Sequence, residues 1–570
     1  MVAWSESNGF TFSLEKTVCM HFCRRPLHPD PELTLKGNPL TICDQHTFLG
    51  VIFDKRLTFL PHIMDLRNRC LRSMNILRVL SNTAWGADRT SLLKVYRSVI
   101  RSKLDYGCCV YGSARNSYLS RLNYVHHQAL RVCCGAFRTS PISSLYVETC
   151  EPSLSFRRNM LSACYYFRVL SNRSHPLRRT FLNCYQSPLF NVRRSCIPPL
   201  GSRILKFLPE SYHNIEIHDE SPFSVPPWCQ FDVVLLHPFR KFLKSNTPDF
   251  IFRALFSAHR HMYSDYIPVY TDGSKAESHV GYAFACESVV VGQKLHDFTS
   301  VFTSEVTAIY RAIQYIAKNK FRKVIIYSDS WSALQALIEK THNHAYISDI
   351  RILLKELCQN GFEILFCWIP SHVGIQGNEI VDIAAKSANE SYKQAIPYAD
   401  VRSSVRKWLF QNWQNQWNLE TENKLHTVKP FIDLWCSSLN RRCDVILTRL
   451  RIGHSRITHK YILLKQPPST CSRCGDSLTI RHILIECQTL DSLRLKYFNT
   501  VVPCLPLLIG LVRKMRAPLL FSHLSSSHSR SEQIDASLTI RDKQRSSLAL
   551  VVLKSKLCTC VPKRTMHTGI

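Results

Sequence analysis

The sequence at residues 270–274 reads YTDGS and follows a short apolar stretch. An apolar run that ends on Asp-Gly predicts a β-strand followed by a tight turn. Residues 324–330, VIIYSDS, repeat this pattern with β-branched side chains and also end on an acid. The two strands would end at Asp272 and Asp329, and the ends of neighbouring strands in an α/β sheet are where carboxylates can meet.

Two further acids and a histidine lie near predicted helix starts. Ser304-Glu305 opens a run with apolar residues at helical spacing, which predicts a helix. Residues 371–382, SHVGIQGNEIVD, place His372 on a glycine-containing loop and Asp382 in the helix that follows. The apolar residues of the first helix are Val306, Ile309, Ala312, Ile313 and Ile316.

This set of side chains is suited to metal-assisted phosphodiester chemistry. Four carboxylates that converge raise one another's pKa and need a cation to stay ionised together. Carboxylate oxygens favour Mg²⁺ or Mn²⁺ over zinc, and two such ions about 3.5–4 Å apart can hold both the attacking water and the leaving oxygen. A histidine on a loop can move a proton to the leaving group. A single acid at a strand end is more often a turn residue or a helix cap, so it is the combination that favours catalysis.

The motifs TDGS (271–274), SE (304–305), YSDS (327–330) and SHVGIQGNEIVD (371–382) resemble those of type I ribonuclease H as carried by retroelements. The resemblance covers residues 266–390. It implies two Mg²⁺ (or Mn²⁺) ions on Asp272, Glu305, Asp329 and Asp382, with Asp272 and Asp329 sharing them. It also implies that His372 assists proton transfer and product release, and that the substrate is the RNA strand of an RNA–DNA hybrid.

The predicted fold of this region is a ribonuclease H-like α/β domain with a mixed five-stranded sheet flanked by helices, because three antiparallel strands precede αβ crossovers. Strands are predicted near 266–272, 279–287, 289–295, 323–329 and 363–369. Helices are predicted near 304–318, 331–339, 346–359 and 377–389.

Length and charge bound the rest of the chain. A chain of 570 residues is too long for one core and predicts several domains. The net charge of +31 favours a polyanionic partner, either nucleic acid or an acidic membrane face. No apolar run reaches the roughly 18 residues of a membrane span, so no membrane partner is predicted. The start lacks a secretory signal, so the 24 cysteines are expected in a reducing, intracellular compartment, with nucleus and cytoplasm both open.

Residues 1–60 are predicted to be β-rich, with residues 48–53, FLGVIF, as a buried strand. The pattern around Asn8-Gly9-Phe10 resembles the end of a reverse transcriptase palm in non-LTR retrotransposons. No Asp-Asp pair occurs in the chain, and a polymerase needs such carboxylates to activate a 3′-hydroxyl. The segment is interpreted as a C-terminal remnant of the palm, with polymerase activity lost by truncation and an intact retrotransposon reverse transcriptase as a candidate partner.

Residues 61–190 predict helices with basic polar faces. These faces fit a solvated helical bundle, and equally a surface that grips a nucleic acid backbone. The stretches WGADRT (85–90), RSKLDYGC (101–108) and FRTSP (137–141) resemble the retrotransposon thumb, which favours a thumb-like region. Residues 191–265 contain several prolines and are predicted to be a connector.

Residues 400–500 combine a tryptophan-rich helix, a basic patch at residues 449–456 and a cysteine-histidine cluster. The tryptophans at this spacing favour packing over base stacking. The spacing C-x2-C-x7-H-x4-C predicts a knuckle-like zinc site of three thiolates and one imidazole, against the alternative of unrelated thiols. Its seven-residue loop departs from the four residues of retroviral knuckles. The four ligands are Cys471, Cys474, His482 and Cys487.

Residues 510–570 are rich in serine and basic residues and are predicted to be a disordered tail. The function favoured by the whole sequence is endonucleolytic hydrolysis of RNA in RNA–DNA hybrids. One alternative is a catalytically silent nucleic-acid-binding remnant of a retrotransposon, which four intact acids argue against. A second is an integrase-type strand transferase, a class that typically carries three acids and lacks this glutamate and histidine loop.

Overall fold

The computed structural model describes residues 2–23, 29–182, 197–220, 232–277, 279–342, 344–435, 440–471 and 474–498. The chain divides into two compact units. The first comprises Met1–Met74, Arg97–His126 and Pro152–Gln416. The second comprises Asn75–Tyr96, His127–Glu151 and Trp417–Ile570. The domain boundaries drawn from the sequence stay a prediction, and the predicted tail lies outside the described residues.

The first unit is built around a mixed β-sheet. Its strands are β1 (Ile267–Lys275), β2 (Val280–Cys286), β3 (Val289–Lys294), β4 (Lys323–Ser328) and β5 (Glu363–Trp368). β1, β2 and β3 form an antiparallel meander, and β4 pairs in parallel with both β1 and β5. The strand order is therefore β3-β2-β1-β4-β5, as expected when short turns join the first strands and helical crossovers join the rest.

Helices cover both faces of this sheet. They are α1 (Val301–Asn319), α2 (Trp331–Ile338), α3 (Ala345–Gln359) and α4 (Gln376–Lys386). The apolar stripe of α1 is fully buried and packs with α2 and α3 on one face. On the opposite face, Val381 and Ala385 of α4 lie against Ala283 and Ala285 of β2. Because these side chains are small, α4 approaches the sheet closely and brings its polar residues to the ends of the strands.

The sheet has six strands, so the prediction of five was wrong. The sixth, Leu235–Leu236, pairs in parallel with β5, where Leu235 lies opposite Phe366. It belongs to the predicted connector, which also contains the helix Asp249–Met262. A strand of only two residues gives no periodic signal in the sequence. The helix does give one, because Phe252, Phe256 and His259 follow helical spacing.

The strand predicted at residues 48–53 does not form. Gln45–Phe48 and Val51–Asp54 instead pair as an antiparallel hairpin that turns at Leu49 and Gly50. Phe48 and Leu49 are 62% and 73% exposed, so the stretch is not a buried strand. The glycine, at φ +77°, takes a conformation that turns the chain where the sequence pattern suggested continuity. The other short strands of this region are Val18–Cys19, Thr34–Leu35, Asn38–Pro39 and Thr41–Ile42.

Helices make up most of the remaining described chain. Those outside the sheet domain are Val2–Ser7, Leu60–Leu80, Arg89–Tyr96, Ser102–Asp105, Cys108–Tyr111, Asn116–Cys134, Ile142–Thr149, Leu154–Leu170, Arg178–Leu182, Leu200–Phe207, Tyr398–Asn418, Arg441–Ile452, Arg456–Leu464 and Asp491–Phe498. In the first unit, Trp408 packs on Phe207 with 5.4 Å between ring centroids. In the second unit, the buried Trp417 donates its ring N–H to the carbonyl of Lys429. These two tryptophans therefore serve packing.

The second unit contains a buried ion-pair cluster. The carboxylate of Glu148 is fully buried and accepts hydrogen bonds from Arg89 and Arg451, the latter 3.1 Å away between Nη1 and Oε1. Arg451 belongs to the predicted basic patch, and its inward position shows that the patch is not uniformly exposed; Arg456 does face solvent.

Among the described residues, no helix has both the length and the apolar character needed to cross a membrane.

Candidate active site

Three of the predicted acids meet at one end of the sheet. Thr271 of β1 lies opposite Ser328, the last residue of β4, so Asp272 and Asp329 follow at the same level of two parallel strands. β1 continues to Lys275 in its pairing with β2, so the predicted strand end and tight turn at Asp272 and Gly273 were wrong. Glu305 lies in the second turn of α1. One carboxylate oxygen from each of the three lies within 4.8 Å of the others. The sheet register thus explains why two acids 57 positions apart in sequence become neighbours in the fold.

Gly273 makes this meeting possible. A Cβ atom at this position would lie 2.4 Å from the amide nitrogen of Glu305 and 2.6 Å from the carbonyl carbon of Ser304. No side chain fits there, because real Cβ atoms do not approach backbone so closely. The glycine of the TDGS motif therefore lets the first two turns of α1 lie directly against β1, which places Glu305 beside Asp272.

The three acids are poorly solvated, which makes their charges costly. Asp272 is 6% exposed and Glu305 7% exposed. Burial, followed by the charges of Asp329 and Asp382, raises the pKa of Asp272 from 3.8 to about 7. Burial, followed by the charges of Asp272 and Asp329, raises the pKa of Glu305 well above its ordinary value. Burial is also the main cause that raises the pKa of Asp329.

The oxygen Oε2 of Glu305 is buried and has no hydrogen-bond partner among the described residues. Buried polar atoms are nearly always paired, so an unpaired oxygen on a carboxylate that is grouped with two others is a position where a cation fits. A set of donors made only of carboxylate oxygens matches Mg²⁺ or Mn²⁺ in charge and hardness.

Asp382 and His372 lie in a second group beside the first. Asp382 lies on α4, and His372 on the loop between β5 and α4. The Nδ1 atom of His372 is 3.9 Å from Oδ2 of Asp382. Glu379 completes this group, with ligand atoms of all three residues within 4.8 Å of one another. After burial and the charge of Asp329, the charge of Asp382 also raises the pKa of Asp272, so Asp382 lies close enough to interact with the first group.

Glu379 was not predicted as a site residue. It lies one helical turn before Asp382, and this i, i+3 spacing is the sequence signal that could have identified it. One of its oxygens, Oε1, accepts a hydrogen bond of 3.3 Å from the amide of Gly374 in the His372 loop. Glu379 therefore links the start of α4 to the loop that carries the histidine.

Two neutral groups hold Asp329 in place. The side-chain amide of Asn378 donates to its carboxylate, with 3.4 Å between Nδ2 and Oδ2. The indole of Trp368, at the end of β5, donates to its backbone carbonyl over 3.0 Å. Gly377 lets α4 begin here, since a Cβ atom at this position would lie 2.3 Å from the ring of Tyr270.

The cysteine-histidine cluster predicted in the second unit also comes together. One ligand atom each of Cys471, Cys474, His482 and Cys487 lies within 4.8 Å of the others. The Sγ atom of Cys487 is 4.0 Å from those of Cys471 and Cys474, and Cys474 Sγ is 3.3 Å from Nε2 of His482. Thiolates bound to one tetrahedral zinc at about 2.3 Å lie about 3.8 Å apart, so the spacing suits this metal.

Comparison with known proteins agrees with the site. Residues 264–390 match the RNase H family. The chain contains a ribonuclease H domain. This domain coincides with the sheet β1–β5, the helices α1–α4 and both acidic groups, so the ribonuclease H-like fold predicted from the motifs is confirmed.

Several proteins similar to this chain are transposon proteins. The chain is 26% identical over 209 residues to a probable RNA-directed DNA polymerase from transposon X-element of Drosophila melanogaster, covering 33% of this chain and 22% of that protein. It is 25% identical over 166 residues to the RNA-directed DNA polymerase from mobile element jockey of Drosophila funebris, covering 29% and 18%. The predicted resemblance to non-LTR retrotransposon polyproteins is confirmed. These matches span less than a quarter of the length of either relative.

A solved structure similar to this chain is ribonuclease H1 from Halobacterium salinarum. It is 20% identical, with a TM-score of 0.18, and the match covers 21% of this chain and 96% of that protein.

Proposed function

We propose that this chain hydrolyses the RNA strand of RNA–DNA hybrids. The observation that carries the proposal is the meeting of Asp272, Glu305 and Asp329 within 4.8 Å, with one buried Glu305 oxygen left without a partner. A site of this kind strongly attracts divalent cations, and the family match supports hybrid-directed nuclease chemistry. The net charge of +31 supports binding to a nucleic acid backbone.

The roles of the side chains follow from their positions. Asp272, Glu305, Asp329 and Asp382 would hold two Mg²⁺ or Mn²⁺ ions, which when bound supply charge neutralisation and activation of water. Asn378 and Trp368 orient Asp329 through the hydrogen bonds described above. The imidazole of His372 is 60% exposed, so it can reach substrate and deliver a proton to the leaving 3′-oxygen. Preference for a hybrid would come from contacts with 2′-hydroxyls in the shallow minor groove.

The test is cleavage of an end-labelled RNA–DNA hybrid by the full chain with Mg²⁺ present and absent. We expect Mg²⁺-dependent cleavage of the RNA strand that Asp329→Asn abolishes while hybrid binding persists. The control is Asp297→Asn, which removes an exposed acid that is not one of the grouped carboxylates. Full activity of Asp329→Asn, or binding without cleavage by the wild type, would contradict the proposal, the latter outcome identifying a silent nucleic-acid-binding protein.

We further propose that the 570 residues do not polymerise nucleotides on their own. They contain no two adjacent aspartates, and template-directed synthesis requires carboxylates that hold metal at the primer end. An intact reverse transcriptase would supply this activity as a partner. The interpretation of residues 1–60 as a palm remnant and of residues 61–190 as a thumb-like region is part of this proposal. A primer-extension assay with the purified chain decides it, because any template-dependent extension refutes it.

We also propose that the second unit binds zinc through Cys471, Cys474, His482 and Cys487. The proposal is supported by the donor set of three thiols and one imidazole and by the sulfur spacing of 4.0 Å. Basic residues near a small zinc module favour contact with nucleic acid, which would complement the ribonuclease H domain. Zinc content of the purified chain is the direct test.

A further inference from the structure

A segment outside the family match is built into the ribonuclease H domain. We call residues 235–262 the prefix segment; it contains the sixth strand, the short helix Pro238–Lys241 and the helix Asp249–Met262. Its Phe239 and Phe252 are each 1% exposed, and they pack in one apolar cluster with Val373 and Ile375. Those two residues belong to the loop that carries His372, so the prefix segment forms part of the support of that loop.

Two cationic side chains of the prefix segment contact the same loop on either side of His372. The ammonium of Lys244 donates a hydrogen bond of 2.6 Å to the carbonyl of Ser371. The guanidinium of Arg253 lies over Gly374, where a Cβ atom would be 2.9 Å from Nη1. Lys244 bonds to a backbone carbonyl, and Arg253 occupies the space that a side chain at Gly374 would take. Both contacts therefore fix the path of the loop backbone and do not depend on the side chains of the loop.

The loop needs such support because its backbone is strained. His372 has φ +50°, a left-handed conformation that costs a non-glycine residue about 1 kcal/mol or more. Such a conformation persists only where the surroundings enforce it. The carbonyl before His372 is held by Lys244, the amide of Gly374 is held by Glu379, and the Val373 side chain is buried against the prefix segment.

We propose that Lys244 and Arg253 are positioning residues that hold the His372 loop in its strained conformation. The inference rests on the proposed function for its catalytic consequence, since His372 acts there as the proton donor. It extends the working nuclease to residue 235, upstream of the family match that begins at residue 264. Without the two cations, His372 would leave the left-handed conformation for part of the time and point away from Asp382.

The first experiment does not depend on activity. Hydrogen–deuterium exchange of residues 371–375 is compared in the metal-free full chain for wild type, Lys244→Ala, Arg253→Ala and Lys241→Ala. Lys241 is the matched control, an exposed lysine three positions from Lys244 for which no bond to the loop is found among the described residues. We expect exchange of the loop to rise at least about fivefold in the first two variants, with Lys241→Ala unchanged. Unchanged exchange in both variants overturns the proposal.

The second experiment asks whether the positioning acts through His372. Arg253→Ala should lower kcat roughly tenfold with KM unchanged, and Arg253→Lys should recover part of the rate. In a His372→Ala background the same change should have no further effect, because the group it positions is gone. A raised KM with full additivity would assign Arg253 to phosphate binding and overturn the proposal. If the wild-type chain fails to cleave, the proposed function fails, and the exchange experiment alone decides the positioning role.

Discussion

The ammonium of Lys386 lies 2.8 Å from Oδ2 of Asp382, one helical turn away on α4. This oxygen also faces Nδ1 of His372 at 3.9 Å. The hydrogen bond to Asp382 raises the pKa of Lys386, and the lysine charge in turn opposes the upward shift in the pKa of Asp272. In the metal-free protein, Lys386 therefore supplies part of the positive charge that bound cations would supply under the proposed function.

A competition between Lys386 and Mg²⁺ follows from this contact. Replacing the lysine by an uncharged side chain of similar length, Lys386→Met, should tighten Mg²⁺ binding by about twofold to fivefold, the range expected when a partly exposed ion pair is lost. Isothermal titration of the full chain with Mg²⁺ measures the effect. Lys318→Met, at the exposed end of α1, is the control for loss of charge alone. Equal or weaker binding by Lys386→Met would show that the lysine does not compete with cations.

The acidic site was predictable from the sequence because its signals are local. Asp272 and Asp329 each end a run of apolar residues, and Glu305 and Asp382 each lie in an amphipathic helix. Strand and helix periodicity place the first two at predicted strand ends and the other two near predicted helix starts, and the parallel register of β1 and β4 then brings Asp272 and Asp329 together. The need for a glycine at position 273 could not be predicted from the sequence, because the atoms that exclude a side chain there belong to Ser304 and Glu305 of α1.

The remaining features depend on contacts between distant segments. The partner of Arg451 is Glu148, 303 positions earlier, so an arginine in a basic run could not be assigned to a buried ion pair. The support of the His372 loop by Lys244 likewise joins residues 127 positions apart. Besides the spacing of Glu379, the helix Asp249–Met262 carried an overlooked local signal, since Pro248 and Asp249 mark a helix start before an apolar stripe.

Removal of the Asp272 charge should stabilise the metal-free protein at neutral pH. Its pKa is raised to about 7 from 3.8, so the folded state binds a proton more tightly than the unfolded chain. The stabilisation from this proton is complete at low pH and is lost as pH rises through about 7. With a chelator present at pH 8, Asp272→Asn should therefore have a higher unfolding temperature than wild type, and its free energy of unfolding should be larger by up to about 4 kcal/mol. At pH 5 the difference in the free energy of unfolding should be smaller.

Calorimetry at the two pH values, repeated with saturating Mg²⁺, checks this prediction. With the cation present the order should reverse, because wild type gains stability from binding and the variant loses a ligand. Asp297→Asn serves again as the control for an exposed acid. A constant difference between wild type and Asp272→Asn from pH 5 to pH 8 would mean that Asp272 does not titrate in this range.

Loss of the His372 imidazole should slow cleavage without weakening hybrid binding. Proton transfer by a positioned side chain contributes roughly 10²–10⁴ in rate, so His372→Ala should lower kcat within that range and by less than Asp329→Asn. Added imidazole should restore part of the rate, since it can enter the exposed position that the side chain leaves. Single-turnover cleavage of a labelled hybrid gives the rate directly.

The control for His372→Ala is His261→Ala, an exposed histidine near the end of the helix Asp249–Met262. It should retain the wild-type rate and show no response to imidazole. Damage equal to that of Asp329→Asn, without rescue by imidazole, would move His372 from proton transfer to a structural role.

The cysteine-histidine cluster should hold one zinc ion. The purified full chain should contain about one zinc ion, and Cys474→Ser should lose most of it, because Cys474 lies 3.3 Å from His482 and 4.0 Å from Cys487 at the centre of the donor set. Cys443→Ser is the matched control, since Cys443 lies in the same unit but outside the cluster. Elemental analysis gives the zinc content, and substitution with Co²⁺ should produce thiolate charge-transfer absorption in wild type and in the control.

Because Cys471 and Cys487 also lie in the apolar cluster with Ile483 and Leu490, zinc removal should expose the amides of residues 474–490 to hydrogen exchange. Unchanged zinc content in Cys474→Ser, or unchanged exchange after chelation, would contradict a structural zinc site.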